Sequence, residues 1–177
     1  FLTELESISD SELNRSEQID KSVLFLKLFD RLSYYQFKIY LIPFNAEGGF
    51  YNQPLFSLRN FEIESVSHGN RYLNWLENYR NYLLNYKTYL KENIDKGILA
   101  PKIIVENSIR LMAPFCKNEI AYNPFYKPFN TLSESNLDDK EIKHLSSISL
   151  IFFKNQFVPA YEELRTFMEE EYLPVAY

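Results

Sequence analysis

The side chains best suited to metal chemistry are few in this sequence and lie far apart. The two histidines are His68 and His144, and neither is followed four residues later by a second histidine, so the chain has no HExxH zinc motif. A zinc site needs at least three protein ligands, which disfavours a metal shared by these two residues alone. We expect His68 near a helix start and His144 on a helix surface.

Nucleophilic chemistry has equally little support. Cys116 is the single cysteine and has no neighbouring base, so a small buried apolar side chain is the better interpretation. No serine lies in a GxSxG elbow. The pair Gly48 and Gly49 lacks the further glycine and the lysine of a phosphate-binding loop, and a tight turn is the stronger prediction.

Two further patterns carry side chains that can bind ligands. Glutamates at 162–163 and 169–171 can pair as acid and base, but such runs are more typical of a solvated helix face. Tyrosines at helical spacing can line a groove for a peptide or a sugar, although helix packing explains them better. These tyrosines are Tyr72, Tyr79, Tyr82, Tyr86 and Tyr89. The residues alone therefore predict no catalytic residue, no metal ligand and no cofactor in this chain.

Composition limits the remaining classes of function. With 177 residues, 46% hydrophobic and 24% charged, the chain can bury a core and disorder is disfavoured. A net charge of −5 disfavours nucleic acid and anionic membranes as partners. No apolar run approaches the length of a transmembrane segment.

Capping signals and apolar periodicity predict an all-α fold, an irregular array of four or five helices with at most one small hairpin. Asn14 and Glu17 form a capping pair for a helix from about residue 16 to 37. Ser67 is the expected cap of a second helix, which ends at a left-handed Gly97. A third helix begins at Pro101.

The last predicted helix begins near residue 137 or 138, with Glu141 in capping position, and Pro159 should kink or break it. Residues 43–49 contain Pro43 and two adjacent glycines, and we expect no regular structure there. Residues 50–65 should form an extended loop with a short helix. Residues 114–135 should form an ordered loop rich in aromatic side chains.

Four short blocks resemble, in the same order, those of a bacterial family. Residues 43–49 resemble its PxNxxGG turn, and residues 70–76 with 96–105 resemble its YLxxL and GxxxPxxVV block. Residues 123–129 resemble its sPFYxPF loop, and residues 159–174 its PAYxxLxxFLxxEYLP helix. The family is the bacterial domain-of-unknown-function family DUF885, and the resemblance runs from about Leu13 to the end.

The resemblance implies a fold and a function that the residues alone do not. Members of the family are often described as lipoproteins and resemble helical HExxH zinc peptidases of the oligopeptidase and angiotensin-converting-enzyme type. Their HExxH lies beyond the point where this chain stops, so no catalytic or metal-binding residue is carried over onto it. Residues 1–177 would form one helical domain, or the N-terminal portion of a larger one that walls a deep substrate channel.

The resemblance implies that the partner of this chain is the missing C-terminal, metal-binding half. For the parent protein it implies a peptide substrate and zinc. The implied location is the cell envelope. The turn at residues 43–49 and the loop at residues 123–129 are expected to face the channel or the missing half. The candidate residues are Asn45, Gly48, Gly49, Asn123 and Tyr126.

The alternative is a stand-alone helical binding or protein-interaction module. Phe1 begins within a periodic pattern and Tyr177 directly follows a helix, which favours the fragment.

Overall fold

The computed structural model describes residues 1–117 and 119–177. The chain divides into two compact units, Phe1–Pro43 and Phe44–Tyr177. Within the described residues, helices and short helical turns make up nearly all of the regular structure, and one hairpin of two-residue strands is the sheet. The predicted all-α class, with one small hairpin, is confirmed.

The first unit contains α1 (Leu2–Ser7) and α2 (Arg15–Gln36), with 3₁₀ turns at Asp10–Glu12 and Ile39–Leu41. The predicted capping pair at the start of α2 is confirmed. The Asn14 Oδ1 accepts hydrogen bonds from the amides of Ser16 and Glu17, at 2.9 and 3.1 Å. The Glu17 carboxylate accepts one from the Asn14 amide at 2.8 Å, which completes a capping box.

The apolar stripe of α2 is exposed. Its side chains each leave roughly half or more of their surface accessible, and they are Ile19, Val23, Leu26, Phe29, Leu32 and Tyr35. Helical periodicity therefore predicts the helix correctly without identifying a buried face, because the pattern records which residues share a side and not what covers that side.

The described residues of the second unit form the hairpin and five α-helices. In chain order they are β1 (Phe44–Asn45), β2 (Gly48–Gly49), α3 (Val66–Asp95), α4 (Lys102–Met112), α5 (Lys127–Asn130), α6 (Asp139–Phe152) and α7 (Val158–Phe167). Short 3₁₀ turns lie at Gln53–Phe56, Ala113–Cys116, Ile120–Tyr122, Pro124–Tyr126, Leu132–Glu134 and Leu173–Val175. The strands pair antiparallel, with Phe44 opposite Gly49 and Asn45 opposite Gly48.

Helix α3 begins two residues earlier than the sequence predicts. Its N-cap is Ser65, whose Oγ accepts a hydrogen bond from the His68 amide at 3.1 Å. The prediction of Ser67 as the cap is wrong, because Ser67 lies inside the first turn. The other end agrees with the prediction: Gly97 has a φ of +70°, and the Ile98 amide donates to the Asn93 carbonyl at 2.8 Å.

The core of the second unit lies between α3, α7 and the turns around residues 113–129. One face of α3 is buried as predicted, through Tyr72, Leu76, Tyr79, Leu83 and Leu90. Helix α7 contributes Tyr161, Leu164 and Phe167, and the turns contribute Phe115 and Phe125. In the described part of the aromatic-rich segment 114–135, the rings of Phe115, Phe125, Tyr126 and Phe129 are buried, which agrees with the predicted order.

Pro159 interrupts the last helix through a π-helical turn. Asp138 and Glu141 form the capping box of α6, which confirms that start. After α6, residues Phe153–Phe157 form a π-helical turn that leads directly into α7. Proline has no amide, and its ring crowds the carbonyl one turn earlier, so a wider turn before it relieves the crowding.

The segment around Pro43 differs from its prediction. It contains the hairpin, so the expectation that residues 43–49 hold no regular structure is wrong, whereas the short helix predicted after it is the 3₁₀ turn Gln53–Phe56. None of the helices within the described residues combines the length and apolar character that a bilayer crossing needs.

Candidate functional site

The hairpin turn is closed by side-chain oxygens. The Asn45 Oδ1 accepts hydrogen bonds from the amides of Glu47 and Gly48, at 2.8 and 3.2 Å. The Asn52 Oδ1 accepts one from the Gly49 amide at 2.9 Å. At the tip, the side-chain Nδ2 of Asn107 in α4 donates to the Ala46 carbonyl. Three of the predicted candidate residues, Asn45, Gly48 and Gly49, therefore form one tightly braced turn.

Gly48 is required in this turn for two reasons. Its φ is +153°, a backbone conformation that residues with a Cβ rarely adopt. A Cβ at this position would also lie 2.4 Å from the Asn52 Oδ1 and 2.6 Å from its Nδ2. The Asn52 side chain cannot move aside without losing its hydrogen bond to Gly49.

Gly48→Ala is expected to lower the free energy of unfolding by about 2–3 kcal/mol, through backbone strain and the displaced Asn52 side chain. Gly97→Ala is the matched control, because Gly97 also has a positive φ but no atom lies within 4 Å of its added Cβ. The control should cost about 1 kcal/mol. Urea unfolding measured for both variants checks this, and equal losses would show that contact with Asn52 is unimportant.

The proline-rich loop is held by Asn123 and Tyr126, both buried. The Asn123 Oδ1 accepts a hydrogen bond from the Phe125 amide at 3.0 Å, and its Nδ2 donates to the Phe115 carbonyl at 3.2 Å. The Tyr126 hydroxyl accepts one from the Ser149 Oγ of α6 at 3.3 Å. In the described residues both side chains fix the loop from inside; a place at a channel or interface stays a prediction.

One open pocket lies between the segment that follows the hairpin, residues 52–59, and the proline-rich loop. Its volume is about 350 Å³, and it is lined by Asn52, Leu55, Phe56, Leu58, Arg59, Pro124 and Lys127. Asn52 follows the hairpin, whereas Pro124 and Lys127 belong to the loop. Sequence reasoning missed Arg59, and it identified the loop that contains Lys127 without singling out this lysine, because a single exposed cation has no distinctive pattern until the fold places it on a pocket.

A second pocket of about 320 Å³ lies along the tyrosine stripe of α3, and Trp75 and Tyr82 line it with Phe50. The tyrosines of this stripe differ in how deeply they are buried. Tyr72 and Tyr79 are buried, and their hydroxyls donate to the carbonyls of Phe125 and Phe50, both at 2.8 Å. Helix packing, the interpretation favoured from the sequence, thus accounts for these two tyrosines.

A buried hydroxyl connects α7 to the segment after the hairpin. Tyr161 is fully buried, its hydroxyl donates to the Tyr51 carbonyl at 2.7 Å, and it lies 3.4 Å from the Tyr79 hydroxyl. Burial raises the pKa of Tyr161 well above its ordinary value. The hydroxyl therefore acts as a neutral donor that holds the backbone in place.

The side chains considered first for chemistry lie apart from one another. The His68 ring packs edge-on against Phe61 at 4.9 Å, and His144 is exposed on α6. The Cys116 thiol donates to the Met112 carbonyl, and burial raises the pKa of this thiol to about 11. Within residues 1–117 and 119–177, no three His, Cys, Asp or Glu side chains form a metal-binding group. These residues do not fit an HExxH zinc site.

The fold is all-α, and its hairpin turn and proline-rich loop are each held by side-chain hydrogen bonds. A family model described as "Bacterial protein of unknown function (DUF885)" matches residues 1–177. The chain therefore belongs to the bacterial family DUF885, as the four sequence blocks indicate. No curated protein and no solved structure matches the chain.

Proposed function

We propose that this chain is the N-terminal helical scaffold and channel wall of a zinc-metallopeptidase-like lipoprotein. The family membership and the all-α class of the fold support the proposal. The observation that carries it is the pocket of about 350 Å³, because one recognised block, the proline-rich loop, meets there the segment 52–59 that follows the hairpin block. Segments that are each held by hydrogen bonds and together line an open pocket are suited to forming the wall of a binding channel.

In this proposal the chain contributes by holding the walls of the pocket in position. The Asn52 side chain holds the hairpin, and Asn123 and Tyr126 hold the loop, so the pocket walls rest on hydrogen-bonded backbone. Zinc in the parent protein would supply an activated water for peptide hydrolysis, and its ligands would come from outside these residues. We assign no catalytic step to this chain, and we place the parent protein at the cell envelope.

The test is to compare the 177-residue chain with the product of the complete reading frame. We expect the complete product to contain an HExxH motif, to hold one zinc per molecule and to hydrolyse short peptides. The chain alone should do neither. Replacing the glutamate of HExxH by glutamine in the complete product should abolish hydrolysis and leave zinc bound. Stoichiometric zinc on the 177-residue chain, or a reading frame without HExxH, would contradict the proposal.

The alternative function is a helical binding module that acts without an enzymatic half. The pocket beside Trp75 and Tyr82 favours it, since both rings are partly exposed and the amides of Gln53 and Asn78 lie beside them. The same comparison separates the two functions, because a binding module would show no zinc and no hydrolysis in the complete product.

A further inference from the structure

The pocket between residues 52–59 and the proline-rich loop has a lining in which both charged side chains are positive. Three of its seven lining residues are polar, namely Asn52, Arg59 and Lys127, and none of the seven is a carboxylate. The whole chain has 24 acidic and 19 basic residues. Two cations without an acidic neighbour in the pocket therefore stand out against the overall negative charge.

Three side chains of this lining carry hydrogen-bond donors that can bind a ligand. The ion pairs among the described residues include neither Arg59 nor Lys127. The Asn52 Oδ1 is occupied by the Gly49 amide, which leaves the Asn52 Nδ2 as the donor of that side chain. A guanidinium, an ammonium and an amide NH₂ on one pocket can together bind an acceptor that carries negative charge.

The rest of the lining is apolar. Leu55, Leu58 and Pro124 are partly buried, and Phe56 leaves 77% of its surface exposed beside them. An apolar wall of this extent disfavours a compact and strongly hydrated dianion such as phosphate, whose hydration shell it cannot replace. It favours an anion that carries an apolar group next to its charge.

We propose that this pocket binds a carboxylate that bears an adjacent apolar side chain, as in an N-acylated apolar amino acid or the C-terminus of a peptide. The Arg59 guanidinium matches the two carboxylate oxygens in a planar pair of hydrogen bonds. Lys127 adds a second positive charge from the opposite segment, and the apolar group lies against Leu55, Phe56 and Leu58. This site does not depend on metal chemistry, so it goes beyond the scaffold proposal.

The experiment is calorimetric titration of the 177-residue chain with four probes at equal ionic strength. They are N-acetyl-leucine, its carboxamide, the peptide Ala-Ala-Leu and inorganic phosphate. We expect both carboxylates to bind, and the carboxamide and phosphate to bind at least about tenfold more weakly. Tighter binding of the peptide identifies a chain terminus as the natural source, and tighter binding of the acyl amino acid identifies a free acid.

Variants test which side chains are responsible. Arg59→Gln should weaken binding of N-acetyl-leucine by about tenfold, and Lys127→Gln by a few-fold, since a lysine contributes a point charge without a paired geometry. The matched controls are Arg71→Gln and Lys143→Gln, which remove exposed charges on α3 and α6 and should leave binding unchanged.

Three results would overturn the proposal: no binding of either carboxylate, equal binding of the carboxamide or phosphate, or full affinity in Arg59→Gln. The far-ultraviolet circular dichroism of each variant shows that a loss of affinity is not a loss of fold. Because these titrations need neither zinc nor hydrolysis, their failure leaves the scaffold proposal intact. Failure of the zinc test likewise leaves this site intact.

Discussion

The protein is expected to unfold steeply as the pH rises above about 10, and its buried tyrosines should ionise in the same transition. Burial raises the pKa of five tyrosines that pack in the second unit, namely Tyr51, Tyr72, Tyr79, Tyr161 and Tyr172. Desolvation is the largest cause for each, because the phenolate would lose its hydration inside the core.

The direction of the change in stability follows from the protonation of these tyrosines in the folded and in the unfolded chain. Below pH 10 these tyrosines are neutral both in the folded and in the unfolded chain, and their contribution to stability is fully present. Above that pH the unfolded chain releases protons that the folded chain retains, so the free energy of unfolding falls. Each such tyrosine lowers it by about 1.4 kcal/mol per pH unit, until the pH reaches the folded pKa.

Two signals recorded on one alkaline titration check this. Tyrosinate absorbance reports ionisation, and far-ultraviolet circular dichroism reports helix content. The buried fraction of the absorbance change should coincide with the loss of helix. Tyr122→Phe is the matched control, since 78% of the Tyr122 side chain surface is exposed, and it should leave the transition unchanged. Complete ionisation with helix content retained would show that these tyrosines are not buried.

The helix boundaries that the sequence predicts well are those with local causes. Asn14 with Glu17 and Asp138 with Glu141 form capping boxes within a single turn, and Gly97 ends α3 through its own backbone conformation. Each of these signals lies within a few residues of the boundary, so no knowledge of the remaining fold is needed.

The start of α3 shows where local signals fail. Ser65 and Ser67 are equally good caps by residue type, and tertiary packing separates them. A Cβ on Gly69 would lie 2.8 Å from Leu145 of α6, and His68 packs against Phe61. Leu145 is distant in sequence, and Phe61 lies outside any helix. Helical periodicity around residue 67 therefore does not predict these contacts.

The candidate site was only partly predictable for the same reason. The hairpin and the loop were identified by resemblance, but the pocket also needs residues 52–59, and the fold places Arg59 of that segment and Lys127 of the loop on the same pocket. Apolar periodicity was equally incomplete for α2, where Ile19 and Phe29 are each half exposed. A sequence pattern states which residues share a face, whereas burial depends on what the rest of the protein places against it.

Phe125→Ala is expected to lower the free energy of unfolding by about 3–5 kcal/mol. The Phe125 side chain is fully buried in the loop that Asn123 holds. Its ring centroid lies 5.3 Å from that of Tyr79, 5.4 Å from Phe157 and 5.6 Å from Phe115. Truncation removes apolar contacts on several sides at once and leaves a cavity that these fixed rings cannot fill.

Phe56→Ala is the matched control for this substitution, since it makes the same chemical change at a ring that is 77% exposed. Its cost should stay within about 0.5 kcal/mol. The midpoint of urea unfolding, followed by helix content, measures both. If Phe125→Ala does not fold, Phe125→Leu retains most of the volume and should cost about 1–1.5 kcal/mol. Equal losses at positions 125 and 56 would mean that the loop is not anchored in the core, and the pocket formed by its outer side would then lack a rigid wall.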